Sequence, residues 1–535
     1  MTPTRPPFRR VLVANRGEIA VRIIRASHEL GMEAVAVYSD ADADGQHVRM
    51  ADAAIRLGPA SPAESYLRID AVLEAARATA AEAIHPGYGF LSERATFARA
   101  VEEAGLVFVG PSAAVIEALG DKVHARRLAR SVDVAGVPGT LDPVSVDRPD
   151  DLPEILLEAE RVGFPLLVKA AAGGGGRGMR RVTAAVDLPA ALAAGSAEAA
   201  SAFGDGKVFL EREVRPARHI EVQLLGDRAG RIVAIGERDC SLQRRHQKLV
   251  EEAPAPGLTR DERRHLHDLA VRVASAASLS NAATAEFLRA PDGAFYFLEV
   301  NTRLQVEHGV SELVGGLDIV QEQFRLAAGE RLSEAALAAA ARATDPIGHA
   351  IEVRLAAEDP SVDFAPGPGR IRHWVMPSGP GVRVDTGFGV GDRVAPDYDN
   401  LVAKVMVHAA DRHAAIDRLR RALDEIEIGG IQTTLPFHSF VARHPGFRDA
   451  ELSTDWVAEH WDGGAERSRH AEAAGRAAAR AVGEGTAAAH RPTGSASDTG
   501  GDGLANQGPR GTAAGSVGNG WVAAARDEAV DRWPG

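Results

Sequence analysis

Cysteine is nearly absent. Cys240 is the only one in 535 residues, so no disulfide forms within the chain and the composition suits a reducing compartment. Long apolar runs are missing as well. The opening stretch MTPTRPPFRRVLVANRGEIA holds one of only four residues, Val11 to Ala14, too short for a secretory signal. No later stretch is long enough to span a bilayer, and the expectation is a cytoplasmic protein with no membrane partner. Net positive charge is lacking too. The formal charge of -13 argues against nucleic acid or an anionic membrane as partner. Lysine is scarce: of 61 basic side chains only Lys122, Lys169, Lys207, Lys248 and Lys404 are lysines. A chain that uses arginine almost everywhere marks those five positions as candidates for a compact ammonium rather than a planar fork.

What is present is an ordinary globular composition, 45% hydrophobic and 25% charged, long enough for about three to four domains. Residues 9–110 alternate strand and helix. Strands are expected at Val11–Ala14, Ala34–Tyr38, Glu82–His85 and Leu106–Val109, with helices from Ile19 to Leu30 and from Ile69 to Thr79. That is the pattern of a doubly wound parallel sheet, whose ligands bind beyond the carboxyl ends of the strands. Asn15-Arg16-Gly17-Glu18 lacks the three-glycine dinucleotide fingerprint, and His85, Tyr88 and Glu93 read as loop-packing groups.

Helical pattern returns at Ser112–Leu119 and Lys122–Ser131, and then LLVKAAAGGGGRGMRRV follows. Gly173, Gly175 and Gly178 match G-x-G-x-x-G formally, but Met179–Thr183 reads as a strand where a dinucleotide site needs a helix. A strand, glycine loop and strand suit a flap whose N–H groups close over phosphates, with Lys169 beside it. A strand is expected over Lys207–Glu213, and His219, Glu221 and Gln223 then alternate on one face. After a strand at Ile232–Ile235, GERDCSLQRRHQKLVEEAPAP reads as a loop. Its Arg238, Arg244, Arg245, Lys248 and His246, without aromatics, suit a small anion.

Next comes NAATAEFLRAPDGAFYFLEVNTRLQVEHGVSEL, residues 281–313, two strands about a Pro-Asp-Gly turn. A two-residue loop at Asp292-Gly293 sets Glu286 opposite Glu299. Facing carboxylates repel, unless a divalent cation, which takes hard oxygen ligands, lies between them. Asn301, Arg303, Gln305 and Glu307 continue on the same face. Beyond a helix at Gln321–Gly329, strands return in HAIEVRL, GRIRHWV, GVRVD and LVAKVMVHA, with Glu352 and Arg354 alternating on the first. Helices follow at Ala414–Leu423 and from Ile431, making a compact α+β unit. Residues 464–520 are too poor in large apolar groups to offset ordering entropy.

VLVANRGEIAVRIIRA, AIHPGYGFLSE, GFPLLVKAAAGGGGRGM, ERDCSLQRRHQKLVEEAPAP, FYFLEVNTRLQVEH and HAIEVRLAAEDP together resemble the biotin carboxylase component of biotin-dependent carboxylases, in the ATP-grasp superfamily, over residues 8–460. The resemblance implies a mixed α/β and α+β chain of three domains. These are a doubly wound N-terminal domain (1–120), an ATP-grasp domain (121–340, glycine-rich lid within 137–210) and a C-terminal α+β domain (341–461), before a disordered tail (462–535). It implies ATP-dependent carboxylation of biotin through carboxyphosphate, the first half-reaction of an acyl-CoA carboxylase of fatty-acid or acyl-CoA metabolism.

The resemblance also implies roles. Lys122 and Lys169 hold ATP phosphates under Gly175 and Gly176. Glu211, Arg212, Glu213 and Val214 meet the adenine, with His219 and His246 near the nucleotide. Glu286, Glu299 and Asn301 bind magnesium or manganese, the two glutamates also counting as ATP contacts. Lys248, Arg303, Gln305, Val306 and Arg354 hold bicarbonate, Glu307 is the base, and Arg354 stabilises the biotin enolate. Gly309 stands where the family usually has proline, Arg212 where lysine is common, and Asn400 where serine is common. Nothing resembles the Ala-Met-Lys-Met biotinylation motif, and no methionine follows Met406. The expected partners are therefore a separate biotin carboxyl carrier protein, carboxyltransferase subunits and a second copy in a homodimer. Another carboxyphosphate-forming ATP-grasp ligase and a non-catalytic ATP-binding carboxylase partner are the competing readings.

Overall fold

The computed structural model describes residues 6–140, 142–144, 152–170, 179–203, 205–465 and 530–531. Gly175 and Gly176, with the glycine loop at 171–178, lie outside the described residues, as does most of the expected tail (466–529 and 532–535).

The chain starts with β1 (Arg10–Val13), α1 (Gly17–Glu29), β2 (Glu33–Ser39), β3 (Ala53–Gly58), β4 (Ala83–His85) and β5 (Val107–Phe108), a parallel sheet of order β3-β2-β1-β4-β5. Ile19, Ile23 and Ile24 of α1 are buried on it. After α2 (Lys122–Ser131), strands β6 (Leu166–Ala170), β7 (Arg180–Val182) and β8 (Val208–Arg212) form a small antiparallel sheet of order β7-β6-β8.

The second large sheet has eight antiparallel strands. It takes β9 (Arg218–Gly226), β10 (Ile232–Arg244), β11 (Gln247–Ala253), β12 (Asn281–Arg289), β13 (Phe295–Asn301), β14 (His349–Ala356), β15 (Val382–Thr386) and β16 (Leu401–Ala409) in the order β13-β12-β9-β10-β11-β14-β16-β15. The expected C-terminal unit therefore shares one ladder with the central unit through β11 and β14. One expectation is corrected here: the stretch after Ile235 is no loop, because β10 runs on to Arg244 and turns into β11 at Arg245-His246. Both turn residues have positive φ, +49° and +66°, as a tight hairpin of this hand requires. Of the cations expected to suit a small anion, Arg238 is instead buried, with Asp239, Ser241 and Gln243, and bonded to protein groups.

From β11 to β15 the sheet has two unlike faces. Ile351, Val353, Leu355, Val405 and Val407 join Ile416, Leu419 and Leu423 of α3 (Arg412–Asp424) in an apolar core. Asp411 caps that helix, accepting from the Ala414 N–H at 2.9 Å. The next helix runs over Leu435–Arg443, later than expected, with Pro436 in its first turn. The opposite face carries Glu251, Glu352, Arg354, Lys404 and Asp385, and it looks toward the site.

Glu252 ties β11 to β14 and α3. It accepts from Arg412 Nε at 2.7 Å and lies 2.7 Å from His349 Nε2. Burial raises its carboxyl, but Arg412 and His349 hold it down at about 2. A depressed carboxyl contributes stability that is complete above its unfolded pKa and lost as pH falls through the folded one. Glu252→Gln should lower the unfolding free energy at neutral pH by about 3 kcal/mol. Urea titrations should show the gap from wild type closing in acid; an unchanged gap would contradict the assignment.

Candidate functional site

Hairpin β12–β13 sets Glu286 opposite Glu299 as expected, though by another route. The loop has three residues, Pro291 to Gly293, closed by Ala290 N–H donating to Ala294 O at 2.9 Å. That puts the strands one residue out of the expected register near the turn, where Leu288 faces Tyr296. A bulge at Leu298 restores it before the carboxylates are reached. Past the ladder, Asn301 donates to Glu286 Oε1 at 2.8 Å, and Arg303 reaches Asn301 Oδ1 and Gln305 Oε1, both at 3.1 Å.

Lys248 on β11 collects the carboxylates. Its ammonium bonds Glu221 of β9, Glu286 of β12 at 3.0 Å and Glu307 at 2.6 Å. Burial raises the Glu307 carboxyl, but Lys248, Arg354 and Arg238 hold it well below the usual range, so it stays ionised. Its second oxygen accepts from Arg354 at 2.9 Å. Burial likewise raises Glu286, and Lys248 and His219, 3.1 Å away, overcome this.

A cavity of about 1430 Å³ opens over this cluster. Lining it are Lys122, Lys169, Glu211, Arg212, Glu213, Val214, His219, His246, Lys248, Glu286, Glu299, Asn301, Arg303, Gln305, Val306 and Arg354. Of the expected site residues among those described, Glu307 alone is set back from the wall, fully buried beneath Lys248 and Arg354. Lys122 lies 3.0 Å from Glu299, Lys169 pairs with Glu211, and Arg212 reaches the Tyr296 hydroxyl at 3.3 Å.

The two glutamates and Asn301 offer the hard oxygens that magnesium or manganese takes. Among the described His, Cys, Asp and Glu side chains, His219–Glu221–Glu286 and Glu221–Cys240–Glu307 also bring three donor atoms within 4.8 Å of one another. The opposed glutamates already have cationic partners, Lys248 for Glu286 and Lys122 for Glu299.

Several groups escape a reading of the sequence. Glu93 is more than loop packing: it accepts from Arg303 Nε at 2.8 Å and from the Thr302 N–H at 3.1 Å. Tyr88 lines the cavity and bonds Glu18. Arg238, fully buried, donates to Glu221 at 2.6 Å, Gln223 at 2.9 Å and Ser311 at 2.9 Å. Lys404 is fully buried on β16, donates to Val306 O at 2.8 Å, and lies 3.4 Å from Glu18 and 3.8 Å from Asp385. It thereby joins α1, the hairpin's outgoing strand and the C-terminal sheet. Its signal is the scarcity of lysine, since of the five only Lys207 is exposed.

Family models match the chain in three successive blocks. Residues 7–116 match the biotin carboxylase N-terminal domain, 121–335 the ATP-binding domain of the carbamoyl-phosphate synthase L chain, and 352–459 the biotin carboxylase C-terminal domain. The biotin carboxylase of Pseudomonas aeruginosa is 47% identical over 440 residues, covering 82% of this chain and 95% of that protein. The chain belongs to the biotin carboxylase family. It has the three-domain architecture of biotin carboxylases and is an ATP-dependent ligase that carboxylates biotin. A pyruvate carboxylase subunit of Methanothermobacter thermautotrophicus is 46% identical over 453 residues, 85% of this chain and 90% of that one. The biotin carboxylase domain dimer of Hydrogenobacter thermophilus 2-oxoglutarate carboxylase, solved with MgADP, ADP and bicarbonate, superposes with a TM-score of 0.80 at 42% identity. It covers 85% of this chain and 98% of that one.

Lys404→Met removes the cation shared by Glu18 and Asp385, and should cost about 3 kcal/mol of stability in urea unfolding. Lys207→Met, at an exposed lysine, should stay within about 0.5 kcal/mol. Equal effects at the two positions would contradict a buried tie at Lys404.

Proposed function

We propose that this biotin carboxylase serves an acyl-CoA carboxylase, with units at 1–120, 121–340 and 341–461. It works as a homodimer alongside a biotin carboxyl carrier protein and carboxyltransferase subunits.

The carrying observation is that Lys248 and Arg354 both hold the ionised, buried Glu307, with Arg303 on the same cavity wall. Three fixed cations beside an anionic base form a receptor for a small anion that must lose a proton, which is what bicarbonate is. Lys248, Arg303, Gln305 and the Val306 backbone orient bicarbonate, and Glu307 accepts its proton. The oxygen so freed attacks the γ-phosphorus of ATP and displaces ADP, giving carboxyphosphate, while Lys122 and Lys169 offset the shielding charge. Glu211, Arg212, Glu213 and Val214, with His219 and His246, hold the nucleotide. A magnesium or manganese ion at Glu286, Glu299 and Asn301 supplies charge neutralisation for the phosphates when bound. Carboxyphosphate then breaks down to carbon dioxide and phosphate beside biotin; that phosphate takes the N1′ proton, Arg354 meets the negative charge that develops on the ureido oxygen, and N1′ bonds the carbon dioxide. A guanidinium does this with a planar fork that lysine lacks.

The competing carbamoyl-phosphate-type reading uses the same intermediate. Arg354 and the C-terminal block that carries it favour biotin. Glu307→Gln should abolish bicarbonate-dependent ATP hydrolysis stimulated by free biotin while the fold survives; undiminished turnover would refute the base, and bicarbonate-dependent hydrolysis indifferent to biotin would favour the rival ligase. Glu299→Gln should weaken Mn2+ binding at least about tenfold, since even outer-shell changes at metal sites reach that size. Paramagnetic resonance of free Mn2+ reads this directly, and unchanged affinity would remove Glu299 from the metal set. Mass spectrometry should find no covalent biotin on the chain.

A further inference from the structure

Two glutamates behind Arg354 have no place in the chemistry above. Glu251 on β11 and Glu352 on β14 are directly opposed in the antiparallel ladder, so both side chains leave the same face of the sheet. Both are fully buried. Glu251 Oε1 accepts from Arg354 Nε at 2.6 Å. Its Oε2 and both carboxyl oxygens of Glu352 have no hydrogen-bond partner among the described residues. Three bare acceptor oxygens thus share one dry place. Two ionised carboxylates there would repel, and each bare oxygen would carry its full desolvation penalty.

The surrounding groups do not relieve this. Arg354, two residues along the same strand, is committed to Glu251 and Glu307. Lys404 on β16 is committed to Val306 O, Glu18 and Asp385. Glu307 faces the cluster as a further anion, held by Lys248 and Arg354. Across the ladder from Glu352 stands Met406, apolar and fully buried. The remaining wall is Gly309, where a Cβ would collide with Met406 Sδ and stand 3.6 Å from Glu352 Oε2. The glycine that departs from the family's usual proline thus leaves room for a thioether beside Glu352.

We propose that Glu352 is held as a neutral carboxylic acid that donates its O–H to Oε2 of Glu251, making it a positioning residue for Arg354. One proton relieves two of the three bare oxygens: one oxygen of Glu352 becomes a donor, Oε2 of Glu251 accepts from it, and Glu251 remains anionic to brace the guanidinium. Arg354, whose Nη2 reaches both Glu251 and Glu307, then keeps its place on the cavity wall. An ionised Glu352 would instead compete for Arg354 and draw it back into the sheet. Burial, with the Glu251 charge beside it, pushes Glu352 well above the usual carboxyl range despite Lys404, whereas the rise that burial imposes on Glu251 is opposed by its contact with Arg354, which leaves the proton on Glu352.

The effect on turnover rests on the role proposed above for Arg354, so the test separates protonation from activity. Infrared difference spectra of wild type against Glu352→Gln should show the carbonyl stretch of a protonated carboxyl in wild type alone, at neutral pH. In ATP hydrolysis stimulated by free biotin, Glu352→Gln, which keeps a neutral donor, should remain within about threefold of wild type. Glu352→Leu should lose about tenfold or more in kcat with KM for ATP unchanged, the cost of leaving a buried acceptor bare. Wild-type activity should fall on the alkaline side as Glu352 ionises, and Glu352→Gln should lack that limb. No protonated-carboxyl band, or a glutamine variant as impaired as the leucine one, would overturn the proposal. A band present in a wild-type protein that turns over no biotin would leave the protonation standing and refute the functional reading instead; should the leucine variant fail to fold, the spectra and the glutamine variant still decide.

Discussion

One ammonium group holds the site together. Lys248 reaches Glu221, Glu286 and Glu307, which arrive from β9, β12 and the segment after β13. Without it, three buried carboxylates would converge on one point, and removing one partner from such a set costs far more than the pair contributes. The long β10–β11 hairpin exists to deliver that lysine: its positive-φ turn at Arg245-His246 reverses the chain so that Lys248 enters beneath the carboxylates. Arg238, earlier on the same hairpin, takes the other oxygen of Glu221. Buried ion networks are a poor way to gain stability, so their concentration here marks a site selected for chemistry.

The same logic explains a sheet that runs unbroken between the central and C-terminal units. On one face, Ile351, Val353, Val405 and Val407 fill an ordinary core. On the other, the buried Glu251, Glu352 and Lys404 form a charged layer that meets the cavity at Arg354. Strand alternation lets one ladder serve both, placing successive residues in opposite environments. Arg354 reaches the cavity only because β14 pairs with β11, the strand that carries Lys248. Glu307 and Arg354 are thus held by adjacent strands of one sheet, through Lys248 on β11 and Arg354 on β14, which is how a site is kept to the precision that catalysis requires.

Much of this is legible in the sequence where physics is local. The opposition of Glu286 and Glu299 follows from strand alternation about a Pro-Asp-Gly turn, and it survives although the loop has three residues. Two irregularities, the longer loop and the Leu298 bulge, cancel, and neither carries a local sequence signature. The parallel N-terminal sheet follows from its alternating strands and helices. The stretch after Ile235 reads wrongly as a loop because polar residues that face a buried ion network look the same, in one dimension, as residues that face water. Glu251 and Glu352 are illegible for a related reason, since their pairing is a register between strands about a hundred residues apart in sequence. Lysine scarcity is informative because in a chain that otherwise uses arginine the compact ammonium survives where a fork does not fit, as at Lys404 under Val306.

The proposal beneath all of this is that Lys248, Arg303 and Arg354, on one cavity wall, orient bicarbonate so that its own oxygen attacks the γ-phosphorus. Turnover with 18O-labelled bicarbonate in unlabelled water tests it directly. Attack by bicarbonate leaves one of its oxygens on phosphorus when carboxyphosphate breaks down, so the account predicts one label in the inorganic phosphate per ATP consumed. Phosphate that carries oxygen from water and none from bicarbonate would mean that the site hydrolyses ATP by another route, and would contradict it.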